Sequence, residues 1–154
     1  LPSANATYNL GSSGSRWANV WGLASSAQYA DLAEYYLADA SYEPGTVLDF
    51  GGENEVTICE SQMSTRIAGV VSTSPGYIMN DGTLRNDANG VAIALQGRVP
   101  TKVVGPVAKG DMMVSAGNGH AMACASPVIG SVIGKALENF GGTEGVIEVV
   151  IGRV

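Results

Sequence analysis

The side chains able to do chemistry are few and scattered along the chain. His120 is the one histidine, set in Asn118-Gly119-His120. A general base there would need a nucleophile beside it. No cysteine adjoins it in sequence and no Gly-x-Ser-x-Gly elbow occurs, so His120 reads as a turn residue. Self-cleavage by a serine and a lysine would need a hydroxyl against a lysine of lowered pKa. The lysines are Lys102, Lys109 and Lys135, each in a strand or turn context that a solvent-facing lysine also satisfies. Asp87-Ala88-Asn89-Gly90 carries a fragment of a calcium loop without its first ligands or its distal glutamate, which leaves a turn. Cys59 and Cys124 lie far apart and form no CxxC pair; two small buried thiols are the expectation, rather than a bridge. No catalytic residue, metal ligand or cofactor is assigned.

Charge is as unevenly spread as the chemistry. The net charge is -6, and only 14% of residues are charged against about a quarter in an ordinary soluble domain. Between Arg16 and Arg66 stand eight acids and no Lys or Arg. Such a segment repels a phosphate backbone, and no basic patch with interleaved aromatics occurs elsewhere, so nucleic acid is excluded as a partner. The acidic run reads as a solvated face. No apolar run approaches the ~18 residues of a membrane span, so membrane insertion is not expected. The Asn5-Ala6-Thr7 sequon has no secretory context around it.

The elements that position these residues read as strands and turns. With 154 residues, 21 of them glycine, the chain holds one ordinary domain plus an appended segment, mainly β. Residues 1–24 form the lead. Its Gly/Ser loop precedes Arg16 to Trp21, where a strand would set Trp17, Asn19 and Trp21 on one face. Two tryptophans near a free end need cover from another chain or from the β domain, which makes Trp17 and Trp21 interface candidates. Residues 25–43 read as a collar: a short helix or turn to about Ala33, then a Tyr-rich strand ahead of Tyr42-Glu43-Pro44-Gly45.

Residues 44–154 read as a compact small barrel or sandwich of about nine or ten strands. Val91 to Val99 and Lys102 to Val107 are expected as two strands broken at Pro100, and Gly117-Asn118 as a hairpin turn. The last run, VIEVVIGRV, is expected as a central or interface strand. The stretch PGYIMNDGTLRNDANG reads as a long excursion. Its Tyr77, Asn80, Asp81, Arg85, Asn86, Asp87 and Asn89 are receptor-contact candidates, with Tyr35, Tyr36 and Tyr42 as weaker aromatic ones.

These residues carry a resemblance. NLGSSGSRWANVWG resembles the shaft-end repeats of bacteriophage tail fibres. YADLAEYYLADASYEPGTVL, RIAGVVSTSPGYIMN, ALQGRVPTKVVGPVAKGDMMVSA, IGSVIGKALE and GVIEVVIGRV are together similar to a C-terminal tip domain of tail-fibre and appendage proteins, related to intramolecular-chaperone tip domains. The resemblance implies an intertwined homotrimer on the virion that caps a shaft and binds a host cell-surface glycan or protein. It also implies self-cleavage as an alternative. A capsid-decoration barrel fits less well, the Arg16-Trp17 lead being shaft-like, whereas a bacterial cell-surface or secreted fibre-like adhesin would look alike.

Overall fold

A computed structural model of the chain describes residues 3, 4, 7, 9–12, 14–18 and 30–152. Ten strands follow in order: β1 (Asp31–Leu37), β2 (Val47–Phe50), β3 (Val56–Ile58), β4 (Ile67–Val71), β5 (Tyr77–Met79), β6 (Gly90–Val104), β7 (Met112–Gly117), β8 (His120–Ala123), β9 (Val132–Ala136) and β10 (Glu144–Ile151). A single 3-10 turn, Leu84–Asn86, lies between β5 and β6. Among the described residues no helix is long and apolar enough to cross a membrane.

β6 is the spine. Its first half lies between β1 and β4; its second half pairs with β10 and β8. The order β6, β10, β9, β7, β8 returns to β6, so these five strands close into a barrel. Closure removes the open edges that an antiparallel sheet would otherwise present. The mainly β, small-barrel expectation holds. The strand changes partner near Gly97, which has φ +113 and faces both Asp31 of β1 and Ile151 of β10. A Cβ at Gly97 would fall 2.2 Å from the Ala30 carbonyl oxygen.

The break expected at Pro100 does not occur. Arg98 N–H donates to the Ala30 carbonyl and Lys102 N–H to the Gly45 carbonyl. Pro100 is two residues from each and faces the same side, between the start of β1 and the Gly45 turn. No ladder donor is required there, so proline costs the strand nothing. The hairpin turn also sits one residue later than expected. Gly117 pairs with His120, leaving Asn118 and Gly119 as a two-residue loop with φ +51 and +71, the primed geometry that matches strand twist.

β1 begins at Asp31, so residues 31–33 are strand where a helix or turn was expected. Ala33 is fully buried opposite Ala94, and the small residues of this stretch serve close approach between strands rather than a helical stripe. The stretch expected as a collar thereby contributes a strand to the same sheet. The final run behaves as a central strand, paired on both sides, with Ile147, Val149 and Ile151 inward and Val146 and Val150 outward and exposed. Two cores result. One fills the barrel around Val99, Val103, Met113 and Val149; the other lies under β2 and β3 around Leu48, Val56 and Ile93.

Candidate functional site

The segment from Tyr77 to Asn89 is pinned at many points. β5 runs parallel to β1, with Tyr77 opposite Leu32, and leaves Tyr77 66% exposed. Asn80 takes a left-handed conformation (φ 54) and its side-chain amide donates to the Tyr35 carbonyl at 3.0 Å. Asp81 Oδ2 accepts from Arg85 Nη1 at 2.9 Å, an i,i+4 ion pair exposed to water. The 3-10 turn closes by Asn86 N–H on the Thr83 carbonyl and Asp87 N–H on the Leu84 carbonyl. Asp87 Oδ1 then accepts from Asn89 N–H, and the Asn89 carbonyl accepts from Ala38 N–H. Asp87 and Asn89 thus hold the turn, whereas Tyr77, Arg85 and Asn86 point their polar or aromatic surface outward.

The lead comes to this segment. Ser12 and Ser15 exchange backbone hydrogen bonds across a tight turn, and no strand forms among the described residues of the lead. Asn9, Leu10, Gly11, Ser12 and Arg16 make one wall of a cleft of about 580 Å³, and Asp81, Gly82, Arg85 and Asn86 make the other. Three of the receptor-contact candidates, Asp81, Arg85 and Asn86, therefore share one site. Tyr77, Asn80, Asp87 and Asn89 do not line it. The contribution of Asn9, Ser12 and Arg16 had no signal in the sequence beyond the charge of Arg16, because the approach of the lead to a segment some seventy residues on is a tertiary event. Trp17 is 65% exposed, and Trp21 lies outside the described residues.

The weaker aromatic candidates have structural work. Tyr42 hydroxyl donates to Asp39 Oδ1 at 2.5 Å and accepts from Ile58 N–H. The Tyr42 hydrogen bond, then that of Thr57, holds the Asp39 carboxyl below its ordinary range, and burial followed by Asp39 pushes the Tyr42 phenol up. Tyr36 donates to Glu34 and meets Phe50 edge to face at 5.7 Å. Tyr35 supplies the carbonyl that anchors Asn80.

Elsewhere the reactive side chains have ordinary partners. Lys102 Nζ donates to the hydroxyl of Thr46 at 2.9 Å, and Lys109 and Lys135 are exposed; none of the three meets a serine hydroxyl in a hydrogen bond among the described residues. His120 bridges the Asn118 carbonyl and Glu144, tying the hairpin to the start of β10. Both thiols are free; Cys59 is fully buried and burial pushes its pKa up, while Cys124 is half-buried with its sulfur 3.9 Å from Met63 Sδ. Two buried serine–carboxylate pairs stand out: Ser64 with Asp49 at 2.8 Å, and Ser72 with Asp31 at 2.6 Å. Neither was anticipated, since each joins residues from different strands or loops.

No protein family is matched by the sequence, and no curated protein is. Solved structures do match. The fold is similar to that of bacteriophage phi29 gene product 12. Its C-terminal fragment aligns over 79% of this chain and 99% of its own length, with a TM-score of 0.61 and 15% identity. The pre-mature gene product 12 aligns over 80% of this chain but only 21% of its own length, with a TM-score of 0.62 and 14% identity. The head fibre gp8.5 N base of the same phage aligns over 79% and 96%, with a TM-score of 0.45 and 12% identity. At these identities what is shared is the fold.

Proposed function

We propose that this chain is a structural and adhesive domain of a bacteriophage fibre or appendage, carried on the virion as a homotrimer that caps and trimerises a shaft and contacts the host surface. The observation that carries the reading is the alignment with nearly the whole C-terminal fragment of gene product 12, coming after a sequence resemblance to fibre tips. Exposed apolar side chains support it. Trp17, Val146, Val150 and the almost fully exposed Ile129 would stand in water on a monomer and have cover in an assembly. Low charge suits the same reading.

In the trimer, Trp17 and Trp21 seal the last layer of the shaft against neighbouring chains. Trp17→Ala and Trp21→Ala are then expected to lower the concentration stability of the assembly while leaving the thermal unfolding of the β domain nearly unchanged. Sedimentation across a dilution series, paired with circular dichroism melts, tests this. Equal loss of assembly and of folding would contradict the assignment.

A second reading, a self-cleaving assembly domain, is favoured by one feature. Ser72 hydroxyl is held on the Asp31 carboxylate in a buried pair beside Ala30, where the chain enters the sheet. Hydrolysis there consumes one water and leaves a new carboxyl and a new amine. Intact mass of the chain expressed behind its shaft decides it: an uncut chain rules the reading out.

A further inference from the structure

Arg85 lines the cleft between the lead and the Asp81–Asn86 segment with its side chain 61% exposed, and it gives one N–H to Asp81. A guanidinium has five such donors, arranged in a fork that fits a carboxylate. Arg16, on the opposite wall, makes no ion pair with any described residue. Two arginines against one aspartate leave the cleft with an excess positive charge. Asp81 Oδ1 is buried and is not offered to the cleft, so what Asp81 presents there is Oδ2, which accepts from Arg85 and keeps a second lone pair. The remaining polar groups are the amides of Asn9 and Asn86 and the hydroxyl of Ser12, which both donate and accept.

We infer that this cleft binds a saccharide bearing a carboxylate, with the acid group between Arg16 and Arg85 and sugar hydroxyls on Asp81, Asn86, Asn9 and Ser12. An inorganic anion such as phosphate pairs with the guanidinium groups but is small against a cleft of about 580 Å³ and leaves the amides of Asn9 and Asn86 to water. A neutral sugar supplies hydroxyl donors but leaves both guanidinium groups without an anion. A hydroxylated carboxylate satisfies both sets, and one carboxylate balances the excess charge. About 580 Å³ is within the range of small-ligand clefts. Because the lead forms half of the wall, the site exists only where the lead lies on the Asp81–Asn86 segment. The inference rests on the adhesive reading and gives it a ligand class.

The test is calorimetric titration of the whole chain with an α-1,4-linked trigalacturonate, with maltotriose and inorganic phosphate as the other two probes. Trigalacturonate is expected to bind, with maltotriose at least tenfold weaker. Arg16→Gln and Arg85→Gln should each weaken trigalacturonate about tenfold or more, the scale of one lost hydrogen bond to a charged group. Arg85→Lys should recover only part of the loss, since it keeps the charge and not the fork. Both arginines are exposed, and circular dichroism melts of the variants matching wild type check that the fold is kept. No trigalacturonate binding, equal binding of maltotriose, full competition by phosphate, or unaffected arginine variants would each overturn the inference. Adhesion to host cells separates it from the reading beneath it. Adhesion that survives Arg16→Gln/Arg85→Gln removes this cleft as the contact; trigalacturonate binding without adhesion to any cell upholds the cleft and removes the adhesive reading.

Discussion

The Asp39–Tyr42 pair shows how a single contact sets a pH window. The folded pKa of Asp39 is lowered, so its contribution is complete above the ordinary value of 3.8 and is lost as pH falls through the folded value. The folded pKa of Tyr42 is raised, so its contribution is complete below 10.0 and is lost as pH rises through the folded value. Tyr42→Phe should lower stability by about 0.5–1.5 kcal/mol at pH 7. The gap between wild type and variant should narrow at pH 2 to 3. Denaturant melts at the two pH values check this, and a gap of constant size would contradict it. Cys59 offers a second residue-scale test. Its burial and raised pKa predict no alkylation in the native state and full alkylation in urea, with Cys124 reacting first. Mass mapping after brief iodoacetamide treatment reads the order. Residue-scale chemistry was legible where it depends on type alone, as with the thiols. The tyrosine partners were not, because Tyr42 meets Asp39 through a local turn that no motif marks and Ile58 only through the fold of β3 onto it.

At the scale of elements, Pro100 and Gly97 invert their apparent importance. A proline inside a strand run looks like a break, yet Pro100→Ala should change stability by less than about 1 kcal/mol, since its missing N–H faces no ladder partner. Gly97→Ala should cost at least about 1–3 kcal/mol, because its Cβ collides with the Ala30 carbonyl at a φ that alanine avoids. Equilibrium unfolding of the two variants gives the comparison, and a Pro100 loss equal to that of Gly97 would refute the account of β6. The apolar run of β10 and the Gly/Asn cluster at 117–119 made a central strand and a hairpin readable from their residues, the turn within one residue of its place. Strand continuity through Pro100 was hidden because it depends on where β1 begins, which local pattern does not record. The short β5 was hidden for the same reason: three residues become a strand only beside β1.

The whole molecule is organised by closure. Local patterns indicate many short strands but do not say that β6 turns from one sheet into a barrel with β7 to β10, since those pairings join residues distant in sequence. The cleft is of the same kind, assembled from a lead and a segment that no spacing relates. Exposed apolar side chains remain outside the barrel: Val146 and Val150 on β10, Ile129 ahead of β9 and Trp17 on the lead. The fibre domain we propose would cover these side chains with its own copies. Light scattering coupled to size exclusion at micromolar concentration tests this most directly. The account predicts a molar mass three times that of the 15.7 kDa chain, and a stable monomer would contradict it.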